Sequence, residues 1–234
     1  MLKVNSLTGF GSMGARRGWS LVYRGSKQYA SGSTFGGQQI QLGPVSRDRI
    51  VLIGYSAADG SGYARRVTSL TLQGARATEL AWCSGYGVGW YKINLGGSAS
   101  WIDGTLDAAG AVTVFVYTLT GSVKQQGASI ASLDAVINNS NYASVNFTGC
   151  LADDYFLMVG HKPGNTGAMG AFAASGANTP TSNAQNIRTG TNGFSSATAA
   201  WTGFSGNAAS VTLTAVGYDS SKGIMMSALR VRRT

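Results

Sequence analysis

The sequence predicts an all-β fold: an antiparallel β-sandwich or jelly roll with about ten strands and at most one or two short helices. One observation is composition, because the 234 residues include 34 Gly and only 12% are charged. Gly, Ser, Thr and Asn are poor helix formers, and Thr also favours strands. A second observation is that alternating or wholly apolar runs of strand length recur along the chain and end at turn residues. The 44% share of hydrophobic residues indicates a packed core and excludes a disordered chain.

The predicted strands are of two kinds. Residues 50–55 (IVLIGY) and 155–159 (YFLMV) are apolar throughout, which is typical of strands buried on both faces. Residues 112–119 (VTVFVYTL) give the strongest strand prediction in the chain, because β-branched and aromatic residues fill them. The other alternating segments are 67–72, 90–95, 211–216 and 224–231, with weaker strands predicted at 78–83, 98–105, 144–148 and 197–204.

Two segments depart from this pattern. Ile130, Leu133 and Ile137 have helical spacing after a possible cap at Ser129, so 129–138 is either one short helix or a strand-to-strand crossover. Residues 164–202 have little charge and much Ala, Gly, Asn, Ser and Thr, which predicts long loops with short strands between them.

The chain divides into a glycine-rich N-terminal arm with the first short strands, residues 1–45, and a β-sandwich domain, residues 46–234. The start of the arm has too few apolar residues to offset the entropy of ordering so many glycines by itself. We expect it to bind a partner or a neighbouring copy, the alternative being that it forms the first edge strand of its own sandwich. The residues predicted to make the partner contact are Leu2, Leu7, Phe10, Arg16 and Arg17.

The net charge is +9, from 18 Lys and Arg against 9 Asp and Glu. Several basic residues lie near the chain ends. They predict either an electrostatic footprint for nucleic acid, phosphate groups or an acidic protein, or solvated ends that keep the protein in solution. Because no nucleic-acid-binding motif accompanies the charge, nucleic acid is not the expected partner.

The opening MLKVNSLTGFGSMGARRG lacks an apolar stretch of signal-peptide length, and no segment approaches the roughly 18 apolar residues of a membrane span. We therefore expect a protein made in the cytoplasm, not secreted by the usual signal, and without a membrane span. Cys83 and Cys150 match neither zinc spacing nor a disulfide framework, which predicts buried free thiols.

No motif predicts catalysis, a metal or a cofactor. Gly9, Gly11 and Gly14 spell GxGxxG, but the strand and helix that a dinucleotide site needs do not flank them. His161, the single histidine, could act as the base of a hydrolase triad, but the chain has no GxSxG motif to supply the nucleophilic serine. We therefore expect a strand-end histidine bonded to backbone. The acidic residues Asp103, Asp107, Asp153 and Asp154 could pair as in a glycosidase, but turns also use Asp. The short segment 103–107 could hold calcium, and a turn explains it equally well.

A cluster of aromatic residues interleaved with glycines gives the strongest binding prediction. Rings on such a segment offer a large contact area to sugars or partner chains at low entropy cost. The alternative is that they fill the core, and a mixed arrangement would place Trp90 and Trp101 inside and Tyr86 outside. The candidate glycan-binding residues are Trp82, Tyr86, Trp90 and Trp101.

Residues 48–121 resemble a β-sandwich domain of accessory virion proteins in tailed bacteriophages and phage-like particles. The segments that carry the likeness are DRIVLIGYSA, VTSLTLQGARAT, WYKINLGG and VTVFVYTLTG. The resemblance implies a structural component of the virion, of decoration, head-fibre, tail or baseplate type, with other virion proteins as partners and no catalytic residues. A lectin-like module that binds host glycans during adsorption is the alternative function. The shortage of surface charge independently predicts self-association, with a trimer favoured.

Overall fold

A computed structural model describes residues 20–83, 85–121, 128–137, 142–163, 169–175, 187–188, 194–202, 208–217 and 223–233. Every helix or strand element in these ranges is a strand, and every strand pairing is antiparallel. The described residues contain no helix that could cross a membrane. The strands are β1 (Ser20–Gln41), β2 (Ile50–Ala58), β3 (Val67–Leu72), β4 (Ala75–Arg76), β5 (Thr78–Cys83), β6 (Val88–Asn94), β7 (Ala99–Thr120), β8 (Ala128–Ile137), β9 (Tyr142–Cys150), β10 (Tyr155–Pro163), β11 (Met169–Ala174), β12 (Ile187–Arg188), β13 (Phe194–Thr202), β14 (Ala208–Gly217) and β15 (Ile224–Arg233).

The strands form three sheets. The first sheet has the order β4-β3-β7-β2-β6-β5, with β1 paired to β7. The second sheet has the order β12-β13-β10-β15-β8, and the third has the order β11-β14-β9. Apolar side chains of the first and second sheets share one core cluster, and those of the second and third share another, so the sheets are packed as layers. This arrangement confirms the all-β, sandwich-like fold class.

The first sheet also curls around a core of its own. Its strand β7 has 22 residues and pairs with β2 through 111–119 but with β3 through 102–106. The equally long β1 follows β7 along both parts. A separate core cluster is built only from residues of this sheet and its connections, including Tyr29, Phe35 and Ile102. The curl therefore encloses apolar side chains that no other sheet covers.

The two wholly apolar runs lie where two cores meet. In β2, Val51 and Ile53 belong to the core inside the curl, whereas Ile50 and Leu52 belong to the core shared with the second sheet. The same alternation occurs in β10, where Leu157 contacts the core on one side and other residues contact the core of the third sheet. Both strands are thus buried on both faces, as the sequence predicts.

Three expectations need correction. The helical alternative for 129–138 is wrong, because β8 pairs with β15 from Ala128 to Ile137. The strands of the arm are not short, because β1 extends from Ser20 to Gln41 as part of the first sheet. The region 164–202 is not mainly loops at its end, where β13 is a nine-residue strand paired with β10. The predicted partner-binding residues Leu2, Leu7, Phe10, Arg16 and Arg17 lie outside the described residues.

Candidate functional site

The structure separates the four aromatic residues that the sequence groups together. Trp90 lies in β6 and is completely buried in the core between the first and second sheets. Its indole N–H donates a hydrogen bond to the Ser227 carbonyl oxygen at 3.0 Å. Because no face of this ring is open to solvent, Trp90 has a core role, and its assignment to a glycan site is corrected.

Trp82 and Tyr86 are only partly open. Trp82, in β5, is half-buried, and the guanidinium carbon of Arg66 lies 3.7 Å from the centroid of its ring. Glu79 holds that guanidinium in place through an ion pair of 2.9 Å. Tyr86 is half-buried against the core between the first and second sheets. Arg66 therefore covers one face of Trp82, and the core covers part of Tyr86.

Trp101 differs from the other three, because 47% of it is exposed. It lies in the part of β7 that forms the curled half of the first sheet. Its neighbours Ser100 and Ile102 are buried, and Ile102 belongs to the core inside the curl. Since successive side chains in a strand point to opposite faces, Trp101 projects outward. The expectation that Trp101 lies inside is wrong.

Polar side chains surround Trp101 on this outer face. Directly opposite residues in an antiparallel pair share a face, so Gln39 of β1 lies beside Trp101. Asp103, two residues along β7, lies beside Thr71 of β3, and Thr71 lies beside Arg76 of β4. We call this surface the Trp101 face; its residues are Gln39, Thr71, Arg76, Trp101 and Asp103.

The Trp101 face is held firmly by its strands. The Asp103 carboxylate accepts a hydrogen bond from the Gly37 N–H at 3.1 Å, which ties β7 to β1. On the other side the Gln73 N–H donates to the Trp101 carbonyl oxygen at 2.9 Å. A flat ring beside an amide, a carboxylate, a hydroxyl and a guanidinium offers one stacking surface together with several donors and acceptors. That combination suits a ligand with an apolar face and many hydroxyl groups.

His161 forms a buried pair with Ser56. The Ser56 hydroxyl lies 2.7 Å from His161 Nδ1, and both residues are fully buried between the first and second sheets. Burial lowers the pKa of His161 to about 3, so the ring is neutral at physiological pH. The expected backbone partner is thus replaced by a hydroxyl. Because solvent cannot reach either group, this pair offers no nucleophile to a substrate.

Two of the acidic candidates and both cysteines take structural positions. Asp107 accepts a hydrogen bond from the Arg66 backbone N–H at 3.1 Å, and the buried Asp154 binds Arg232 through two bonds of 2.7 and 2.8 Å. Cys83 and Cys150 are buried and neither is in a disulfide, as predicted. Within the described part of the chain, no group of three or more His, Cys, Asp or Glu residues could hold a metal ion. The GxGxxG glycines lie outside the described residues.

No family model matches this chain, and no curated protein matches it. Among solved structures, a conserved protein of unknown function from Pseudomonas aeruginosa PAO1 is 12% identical, with 97% of this chain and 87% of that chain covered and a TM-score of 0.32. HutD from Pseudomonas fluorescens SBW25 is 11% identical, with coverages of 93% and 80% and a TM-score of 0.31. Cucumber leaf spot virus gives 10% identity, coverages of 100% and 98%, and a TM-score of 0.23. Likenesses this weak carry no functional argument.

Proposed function

We propose that this chain is a glycan-binding β-sandwich protein whose binding surface is the Trp101 face. The observation that carries the proposal is the position of Trp101, which is 47% exposed on a strand in the middle of a sheet, among polar side chains. An indole ring left open to water on a rigid platform is suited to stack on the C–H face of a sugar. The proposed role is binding, without catalysis.

The surroundings of Trp101 favour a glycan over other ligands. A protein partner would be expected to need several apolar anchors, but Gln39, Thr71, Arg76 and Asp103 are all polar. Single-stranded nucleic acid stacks successive bases on several aromatic rings, whereas Trp101 is the one aromatic residue of this face. Hydroxyl groups of a sugar can both donate to Asp103 and accept from Gln39 and Arg76.

A printed oligosaccharide array tests the proposal directly. We expect the purified protein to bind a subset of glycans, and Trp101→Ala to reduce that binding about tenfold or more, because stacking is lost. Tyr63→Ala is the matched control, since Tyr63 is another exposed aromatic residue (71% exposed) outside the Trp101 face. Binding that survives Trp101→Ala, or that Tyr63→Ala reduces equally, would rule out the Trp101 face as the site.

The resemblance over 48–121 supports a virion role for the protein, in which its glycan binding serves attachment to the host. The low charge content of 12% suits a protein packed in many copies. Mass spectrometry of particles purified from the producing host tests this placement. We expect the chain to co-purify with particle proteins through a density gradient, and its absence from the particle band would contradict the virion role while leaving glycan binding intact.

Self-association belongs to the same proposal. Tyr142 of β9 and Val216 of β14 are paired neighbours on the third sheet and are 47% and 36% exposed. Such an exposed apolar pair favours burial against another copy. We expect multi-angle light scattering to find an oligomer, most simply a trimer, and Val216→Lys to weaken it. A monomer at high protein concentration would contradict this expectation.

A further inference from the structure

A groove opens along the edge of the curled first sheet. The strand β1 bends along β7 through several bulges, and residues 22–27 and 39–41 line one space of about 390 Å³. The Gln38 side-chain amide donates to the Gln28 carbonyl oxygen at 2.6 Å and joins the two halves of β1. A volume of this size is within the range of small-molecule sites, which is roughly 300–1,000 Å³.

The charged residues that line this groove are basic. Among the described lining residues these are Arg24 and Lys27, and none is acidic. The Arg24 side chain is positioned by a hydrogen bond of 2.7 Å from its Nε–H to the Thr118 hydroxyl, which leaves the two Nη groups for other partners. Gly43 provides the space for them, because a Cβ at this residue would lie 2.6 Å from both Nη atoms, and its φ of +81° also favours glycine.

A second guanidinium lies behind the first. Arg49 is 1% exposed and donates to carbonyl oxygens of the neighbouring loops, including Leu42 at 3.1 Å and Gly97 at 2.7 Å. The ion pairs of the described residues are Arg65–Asp59, Arg66–Glu79 and Arg232–Asp154, so neither Arg24 nor Arg49 has a carboxylate partner among them. Burial and the repulsion from Arg49 together lower the pKa of Arg24. Two adjacent cations without an anion create a local demand for negative charge.

The groove and the Trp101 face meet at the edge strand β1. Gln39 lines the groove and is also the cross-strand neighbour of Trp101. Lys27 is opposite Val114, a residue of the core inside the curl, so Lys27 lies on the inner side of the sheet and Trp101 on its outer side. A glycan stacked on Trp101 would therefore pass around the edge of β1 at Gln39 to reach Arg24 and Lys27. The guanidinium fork of Arg24 matches a planar carboxylate or a sulfate, which it can bind with two parallel hydrogen bonds.

We infer that the glycan is acidic, with a carboxylate or sulfate group bound in the groove by Arg24 and Lys27 while a neighbouring sugar ring stacks on Trp101. This inference rests on the proposed glycan-binding function and adds the class of sugar. It also identifies what sets specificity, because an uncharged glycan would leave the groove cations unpaired.

The test uses the full chain on an array in which each sialylated, uronic-acid or sulfated oligosaccharide is printed beside its uncharged parent, in 150 mM salt. We expect the charged member of the bound pairs to bind about tenfold more tightly than its parent, the usual effect of one charge-assisted contact. The double variant Arg24→Gln/Lys27→Gln should lose this preference and still bind the parent. Lys27→Gln alone, which breaks no hydrogen bond to another described residue, should lose part of the preference even if the Arg24 substitution impairs folding. Arg47→Gln is the matched control, because Arg47 is exposed, equally charged and outside the groove.

The outcomes separate the two proposals. If charged glycans and their parents bind equally, or if Arg47→Gln reduces the preference as much as the groove variants do, the acidic-sugar inference is overturned but glycan binding stands. If Trp101→Ala binds as the unaltered protein does, or no glycan is bound, the proposed function itself fails. A single-stranded oligonucleotide that binds through Arg24 and Lys27 more tightly than any glycan would replace the acidic sugar with nucleic acid.

Discussion

Replacing Trp90 with Phe tests the division of the aromatic residues into core and surface. The change removes the indole N–H that donates to Ser227 at 3.0 Å, which is expected to cost about 1 kcal/mol. It also removes part of a fully buried ring between two sheets, which leaves a small cavity and costs about 1–2 kcal/mol more. We therefore expect Trp90→Phe to lower the free energy of unfolding by about 2–3 kcal/mol.

Thermal unfolding followed by circular dichroism measures this loss. For a chain of this length, 2–3 kcal/mol corresponds to a fall in Tm of about 5–10 °C. At temperatures well below the transition, Trp90→Phe should bind glycans as the unaltered protein does, because Trp90 has no open face.

Trp101→Phe is the matched control, since it makes the same chemical change at a residue that is 47% exposed. Its Tm should stay within about 1–2 °C, as for most surface substitutions, while its glycan binding weakens. If the two variants lose equal stability, or if Trp101→Phe is the less stable one, then the assignment of Trp90 to the core and Trp101 to the surface is wrong.

Three further substitutions probe the packing and its charges. Gly54→Ala should lower the free energy of unfolding by about 1–3 kcal/mol in urea titrations, because its Cβ would lie 3.0 Å from two ring atoms of Trp90; an unchanged midpoint would contradict this contact. The free energy of unfolding should fall by up to about 2 kcal/mol as the pH drops from 7.5 to 5.0. Burial lowers the pKa of His161 to about 3 in the folded protein, so the unfolded chain binds the proton first. His161→Gln should remove most of this dependence on pH. Asp154→Asn should lower the free energy of unfolding by about 2–3 kcal/mol in urea titrations, since it breaks a buried ion pair with Arg232. A loss under about 0.5 kcal/mol, the size of an ordinary surface change, would count against that pair.

The strands buried on both faces were predictable because their sequences are apolar without interruption. Residues 50–55 and 155–159 admit few other structures, since an exposed face would place Ile, Leu or Phe in water. The sequence cannot specify which two cores each strand separates, because that depends on which sheet packs on which. The layer order is a property of long-range pairing and not of local pattern.

The ambiguity of 129–138 has a similar cause. Apolar residues at 130, 133 and 137 fit a helix over this short segment, but a strand can also accommodate them. What decides the outcome is β15, which pairs with β8 along its whole length, from Arg233 opposite Ala128 to Ile224 opposite Ile137. Tertiary pairing thus overrides local spacing, and nothing within the segment reveals the partner.

The outward orientation of Trp101 could be predicted from the sequence. In residues 101–106 (WIDGTL), Trp101 is in phase with Asp103 and Thr105, whereas Ile102 is in phase with Leu106. Alternation alone therefore places Trp101 on the polar face, once the segment is assigned to a strand. The groove could not be predicted in this way, because Arg24 and Gln39 line one space only when β1 bends along β7, and no local pattern predicts that bend.

The distribution of the basic residues is the strongest general argument for a ligand at the first sheet. Near the C-terminus, Arg230 donates to the Thr148 carbonyl oxygen at 2.6 Å and Arg232 pairs with Asp154, so these cations stabilise the chain's own fold. Arg24 has no such carboxylate among the described residues, and it lies with Lys27 in a groove without acidic lining residues. Holding cations close together without counter-charge destabilises the protein, and such arrangements concentrate where a ligand supplies the missing charge. Because the groove and the Trp101 face meet at Gln39 on the edge strand, a ligand that passes around β1 can satisfy the cations and cover the exposed ring.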